Sequence, residues 1–101
     1  MAKYKIKIFP TAQNDLLEII EYLNTLSPQT ALKYYDLIVE SIGSLAELPE
    51  RCPLAKDPQL RLRGYRALLV KSYIVFYVVS GNTVEIRRIL YVKRQYEWLL
   101  S

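Results

Sequence analysis

Apolar and basic residues alternate in Tyr4-Lys5-Ile6-Lys7-Ile8, the period of two expected of a half-exposed strand. Phe9-Pro10-Thr11 then turns the chain into a helix, because proline's fixed φ suits a first helical position. Over residues 11–25 the period lengthens. Ala12, Leu16, Ile19, Ile20 and Leu23 recur at helical spacing, with Asp15, Glu18 and Glu21 expected elsewhere on the surface. At Ser27-Pro28 the serine can cap the free N–H groups of a second helix and the proline suits its first turn. That helix is predicted to run to about Leu48, with Ala31, Tyr35, Ile38, Ile42 and Leu45 on one face, and to stop at Pro49. So short a connection implies an antiparallel helical hairpin.

Residues 49–63 carry Pro49, Pro53 and Pro58 without clean periodicity and read as a loop. From Tyr65 the chain is strand-like over 65–70, 73–80 and 83–92, the last two joined through Gly81-Asn82, where glycine supplies the positive φ of a two-residue turn. A short helix over roughly 94–100, carrying Tyr96, Trp98 and Leu99, is expected to follow. The predicted fold is α+β, in the order β-α-α-β-β-β-α, with a mostly antiparallel sheet and the helical hairpin packed on one face. Pairing about Gly81-Asn82 puts Val75, Tyr77, Val79, Val84 and Ile86 on one face and Ile74, Phe76, Val78 and Ile89 on the other. Both faces are apolar, so the face away from the hairpin needs cover from the C-terminal helix or from a bound partner.

The length of 101 residues fits one domain spanning 1–101, and an apolar content of 51% supports a packed core without metal or disulfide. Cys52 has no partner for a disulfide, and beside Pro53 it reads as a small loop residue. No stretch approaches the length of a membrane span, and Met1–Phe9 lacks the apolar core and cleavage site of a signal peptide, so a cytoplasmic location is expected.

Charge divides the chain. Residues 1–60 carry a net −2 and residues 61–101 a net +6, out of +4 overall. The basic part suits an anionic target: RNA, DNA or an acidic protein. There is no histidine, which removes Ser-His-Asp triads, Cys-His pairs and histidine metal sites, and neither a metal nor a cofactor is expected. Three glycines leave no room for a P-loop or a dinucleotide fingerprint. What remains is Arg61, Arg63, Arg66, Lys71, Arg87, Arg88, Lys93 and Arg94, interleaved with Tyr65, Tyr91 and Tyr96. Guanidinium forks bind phosphate and stabilise charge at phosphorus, and tyrosine or lysine can move a proton from an RNA 2′-hydroxyl. Arg87 is expected to pair with Glu85 or with the acids of the helices, while Arg88 stays open between such a pairing and a target.

Several local patterns, in order, resemble the RelE/ParE toxin superfamily and lie nearer its ParE branch. They are Asp15-Leu16-x-x-Ile19-Ile20-x-Tyr22, Ala31-x-x-Tyr34-Tyr35, Leu62-Arg63-Gly64-Tyr65-Arg66, Tyr73-Ile74-Val75-Phe76-Tyr77, and Val84-Glu85-Ile86-Arg87-Arg88-Ile89-Leu90 running into Lys93-Arg94-Gln95-Tyr96. The resemblance implies a growth-inhibiting toxin of a type II toxin–antitoxin module, of the kind that stabilises plasmids, held in check by an antitoxin wrapped over its surface. Ile74, Phe76 and Val78 are the expected antitoxin contacts.

ParE-like members inhibit DNA gyrase by protein contact, with Arg61, Arg63, Arg88, Lys93 and Arg94 as the implied target-binding surface. RelE-like members cleave mRNA on the ribosome, and for that activity Arg66, Arg94 and Tyr96 are the implied catalytic residues. Such nucleases carry arginine directly after the tyrosine that opens the third strand, where this chain has Ile74. A third reading is a non-toxic nucleic-acid-binding module. No reading calls for a membrane or a small-molecule cofactor.

Overall fold

The computed structural model describes residues 3–92. Strand β1 (Lys5–Ile8) ends at Phe9, and Pro10 opens helix α1 (Pro10–Leu26) at a position where its missing N–H loses no hydrogen bond. Ser27 then serves both helices of the hairpin. Its N–H donates to the Leu23 carbonyl, closing α1, and its hydroxyl accepts from the Thr30 N–H at 3.3 Å, opening helix α2 (Pro28–Gly43). α2 stops at Gly43 rather than near Leu48 and tightens into 3-10 turns at Ser44–Ala46 and Pro49–Arg51. Between these turns Leu48 adopts φ +51.

The expected loop over 49–63 contains a helix, α3 (Pro58–Leu62). Asp57 Oδ1 accepts from the N–H groups of Gln59 (2.9 Å) and Leu60 (3.1 Å), Pro58 fills the first position, and Gly64 at φ +80 lets the chain turn away. Three strands follow: β2 (Arg66–Val70), β3 (Tyr73–Ser80) and β4 (Thr83–Tyr91). Gly81, at φ +59, makes the predicted turn between the last two. The sheet order is β1-β4-β3-β2, with β1 parallel to β4 and the other pairs antiparallel. The expected helix over 94–100, with Tyr96, Trp98 and Leu99, lies outside the described residues.

The hairpin packs Ala12, Ile38 and Ile42 against Val75, Tyr77, Val84, Ile86 and Ile89, as the α+β reading requires. Three side chains depart from expectation. Asp15 is buried rather than on the surface, because it follows Ala12 by three residues and so shares the apolar stripe of α1. On α2 it is Tyr34 that packs on the core, and Tyr35 is 43% exposed. Ile89 lies on the core face with Val75, not with Ile74, Phe76 and Val78. Phe76 pairs with Arg88 and Tyr77 with Ile86, so Arg87 is an extra residue that breaks the alternation of β4.

Part of the second sheet face is covered by a segment that was expected to be a loop. Ala55 and Leu60, with Tyr65 partly buried beside them, pack on Phe76 and Leu90, so the segment around α3 closes that part of the face. Phe76 is left 2% exposed. It lies beneath the chain's own cover, while Ile74 and Val78 stay half-buried.

Candidate functional site

β1 runs beside β4 only as far as Ile86, whose carbonyl accepts from Phe9 N–H at 2.9 Å. Beyond that point β4 has a bare edge, and α1 closes it. Asp15 Oδ2 accepts the Ile89 N–H at 3.0 Å and Arg88 Nε at 2.7 Å, while Oδ1 accepts Arg88 Nη2 at 2.9 Å. Hydrogen bonding to Asp15 outweighs burial and holds the Arg88 pKa above its ordinary value. Arg88, one of the residues expected on the target-binding surface, thus has its Nε and Nη2 on the Asp15 carboxylate, with its side chain still 21% exposed.

Arg66 is likewise engaged from within. Its Nη1 donates to the carbonyls of Cys52 (2.6 Å) and Glu50 (3.3 Å), and Nη2 lies 3.9 Å from the Glu50 carboxylate. These bonds fasten residues 50–52 to the start of β2, where Leu54 also bridges to Arg66. Alongside, the fully buried Tyr77 donates its hydroxyl to the Pro49 carbonyl at 2.5 Å. Burial first, then the phenol's interaction with the Cys52 side chain, raises the Tyr77 phenol far above its ordinary pKa. Arg66 and Arg88 sit two strands apart in the sheet, so the structure does not bring them to one open point.

Arg61 and Arg63 are exposed on α3 and at its C-terminal cap, with Arg61 Nε donating to the Ala55 carbonyl at 3.1 Å. Lys93, Arg94 and Tyr96 lie outside the described residues. The bulge turns Arg87 outward, where it pairs with Glu85 at 2.8 Å as expected and lies 4.6 Å from the Phe9 ring centroid and 5.9 Å from that of Tyr65. Lys7 approaches the same Phe9 ring at 5.5 Å.

One feature was missed entirely in the sequence: a groove of about 630 Å³ between the hairpin and the far ends of β3 and β4. Tyr22, Tyr34, Tyr73 and Tyr91 come from four elements to line it, with Asp15 and Glu18 also in its lining. Tyr34 meets Tyr73 edge-on at 5.9 Å, and Tyr73 meets Tyr91 at 5.8 Å. Burial first, then the neighbouring tyrosines, raises the Tyr73 pKa. Helical spacing put Tyr22 and Tyr34 on α1 and α2, but no local pattern announces that these rings meet those of β3 and β4.

The profile of the ParE toxin of the type II toxin–antitoxin system parDE matches residues 6–96. Among solved structures, the chain is similar to a protein of the chromosomal ParDE toxin–antitoxin system of P. aeruginosa, with a TM-score of 0.77, 25% identity, and 90% of this chain and 98% of that one covered. It is also similar to a chain of the RelBE2 toxin–antitoxin complex of Mycobacterium tuberculosis, with a TM-score of 0.59, 25% identity, and coverage of 90% and 93%. No curated protein matches significantly. A profile match over most of its length, carried on the fold described above, makes this chain a member of the ParE toxin family of type II toxin–antitoxin systems.

Proposed function

We propose that this toxin arrests bacterial growth by inhibiting DNA gyrase through protein–protein contact, and that a cognate antitoxin neutralises it in the cytoplasm as part of a plasmid-stabilising module. The observation that carries this reading over mRNA cleavage is the state of Arg66, the described residue of the implied nuclease set. Its guanidinium fastens residues 50–52 through the Cys52 and Glu50 carbonyls and does not present an open fork to a scissile phosphate. Ile74 occupies the slot where ribosome-dependent relatives carry a further arginine. The profile match and the similarity to the ParDE protein lean the same way. The gyrase-binding surface is assigned to the basic last third, where Arg61 and Arg63 are exposed, together with Lys93 and Arg94. Ile74 and Val78, half-buried on the sheet face away from the hairpin, are assigned to the antitoxin, while Phe76 supports them from beneath α3.

The test is pulse labelling after induced expression without antitoxin, paired with a supercoiling assay on purified gyrase. DNA synthesis is expected to stop first, cells to filament, and supercoiling to fall with added toxin. Early arrest of protein synthesis with DNA synthesis intact would instead establish the RelE-like nuclease. Salt-sensitive nucleic-acid binding without growth arrest would establish the non-toxic module.

A further inference from the structure

We propose that the outer edge of β1 is a docking site for an acidic, extended segment of a partner chain, which adds to the sheet as a further strand. The direction of the backbone groups shows where the edge is open. Lys5 N–H donates to the Asn82 carbonyl at 2.8 Å and Phe9 N–H to the Ile86 carbonyl at 2.9 Å, so Lys5, Lys7 and Phe9 turn their backbone groups towards β4. The residues between them turn theirs the other way. Tyr4 N–H is taken by the Ala46 carbonyl at 2.8 Å. The N–H groups of Ile6 and Ile8 and the carbonyl of Ile6 meet no partner among the described residues. Elsewhere the chain closes its own sheet. Asp15 takes the Ile89 N–H of β4, and at the start of β2 Leu54 bridges to Arg66 while Ala67 N–H donates to the Pro53 carbonyl.

An open edge can accept any strand, and the side chains along it decide which. Lys5 and Lys7 are exposed on the face away from the hairpin, while Ile6 and Ile8 pack against the core. Among the described residues neither lysine has a carboxylate within salt-bridge reach, and Glu85, level with Lys7 in the register, is held by Arg87. Lys7 and Arg87 both lie over the Phe9 ring, which gathers positive charge on this flank. Two copies of the edge are poorly matched. An antiparallel pairing centred on Ile6 sets Lys5 of each copy directly opposite Lys7 of the other, and like charges so placed repel. A strand with acids at alternate positions and an apolar residue between them reverses the sign of both contacts. Its backbone pairs with Ile6, its acids stand opposite Lys5 and Lys7, and its middle residue extends the apolar side of Ile6. The same lysines thus keep copies of this chain apart and select an acidic partner. The proposal rests on this edge and holds whichever target the toxin attacks.

The probe is a blocked peptide of roughly eight residues, alternating glutamate and valine, titrated into the isotopically labelled full chain while backbone amides are followed by NMR. The Ile6 and Ile8 amides are expected to move downfield and to exchange more slowly with solvent, with the exposed Leu69 on the β2 edge unmoved. A matched peptide of lysine and valine is expected to have no effect. Lys5→Glu combined with Lys7→Glu, both at exposed positions, is expected to leave circular dichroism unchanged, to weaken binding of the glutamate peptide about tenfold and to admit the lysine peptide. The proposal is overturned if the glutamate peptide moves lysine side chains and leaves the Ile6 and Ile8 amides in place, or if charge reversal does not exchange the two peptides. Protection of the same amides that grows with protein concentration, without any peptide, also overturns it, since the occupant is then a second copy.

Discussion

Asp15 and Arg88 stand 73 positions apart and meet through two hydrogen bonds, 2.7 and 2.9 Å long, that join the first helix to the last described strand. The side chains are 10% and 21% exposed, and the same carboxylate holds a backbone N–H of β4. Breaking such a pair from one side leaves a partly buried charge without its partner. Asp15→Ala is expected to cost about 3 kcal/mol of unfolding free energy in urea titrations. Asp15→Asn, which keeps an acceptor for the Ile89 N–H, is expected to cost less. A double variant, Asp15→Leu with Arg88→Met, is expected to recover much of the loss. Equal losses from Asp15→Ala and from the double variant would show that packing, not the ion pair, holds α1 in place.

Arg66 distinguishes architecture from catalysis. If its role is to fasten residues 50–52, Arg66→Ala is expected to lower stability by about 1–2 kcal/mol through lost carbonyl bonds while leaving growth arrest intact where the variant stays folded. Arg66→Lys, with a single ammonium in place of the fork, is expected to recover part of that stability. Loss of toxicity in a variant as stable as the parent would return Arg66 to a nuclease site. Denaturant titration alongside plating after induction separates the outcomes.

The buried tyrosines set an alkaline limit. Tyr73 and Tyr77 have pKa values raised above the ordinary 10.0, so the folded chain holds their protons after the unfolded chain has released them. Their contribution is fully present below pH 10 and is lost as pH climbs from there towards the raised folded values. The thermal midpoint is therefore expected to fall as pH rises past 10, and Tyr77→Phe is expected to flatten that fall. At neutral pH the same variant is expected to be less stable by about 1 kcal/mol, since the Pro49 carbonyl loses its donor. A pH profile in Tyr77→Phe as steep as the parent's counts against this assignment.

Leu48 holds a left-handed backbone at φ +51 while 67% exposed. For a leucine that conformation costs roughly 1 kcal/mol, which glycine does not incur. Leu48→Gly is expected to be neutral or stabilising by up to about 1 kcal/mol, against the usual trend for glycine in a folded chain. Gly64→Ala, at φ +80, is expected to move the opposite way, and calorimetry on the two gives the pair of signs.

Where a local signal existed, the chain declared its fold. Ser27-Pro28 marked the hairpin because one residue carries both caps, and Gly81-Asn82 marked a turn because few residues accept a positive φ. Helix α3 carries its signal only at its ends, Asp57-Pro58 at one and Gly64 at the other, because five residues are too few to show apolar periodicity. The site was far less legible. An aspartate on an apolar stripe signals a buried partner, but nothing near Asp15 names Arg88. A bulge inserts one residue without changing the strand's composition, so alternation alone misplaces Ile89 and cannot reveal that Arg87 turns to Phe9 and Tyr65. Each of these depends on which strands are neighbours, a property of the assembled sheet.

The parallel seam between β1 and β4 also sets the order in which the molecule can be made. The first strand's only partner in the described sheet is the last one to leave the ribosome, and the carboxylate of α1 waits for the same strand. Until Thr83–Tyr91 has emerged, the nascent chain holds a helical hairpin and a two-stranded ribbon with no central strand between β1 and β3. Such long-range closure is slow compared with helix formation. A chain cut short before Thr83 has no route to this sheet, so a translational error there yields unfolded material for proteases instead of a partly active toxin.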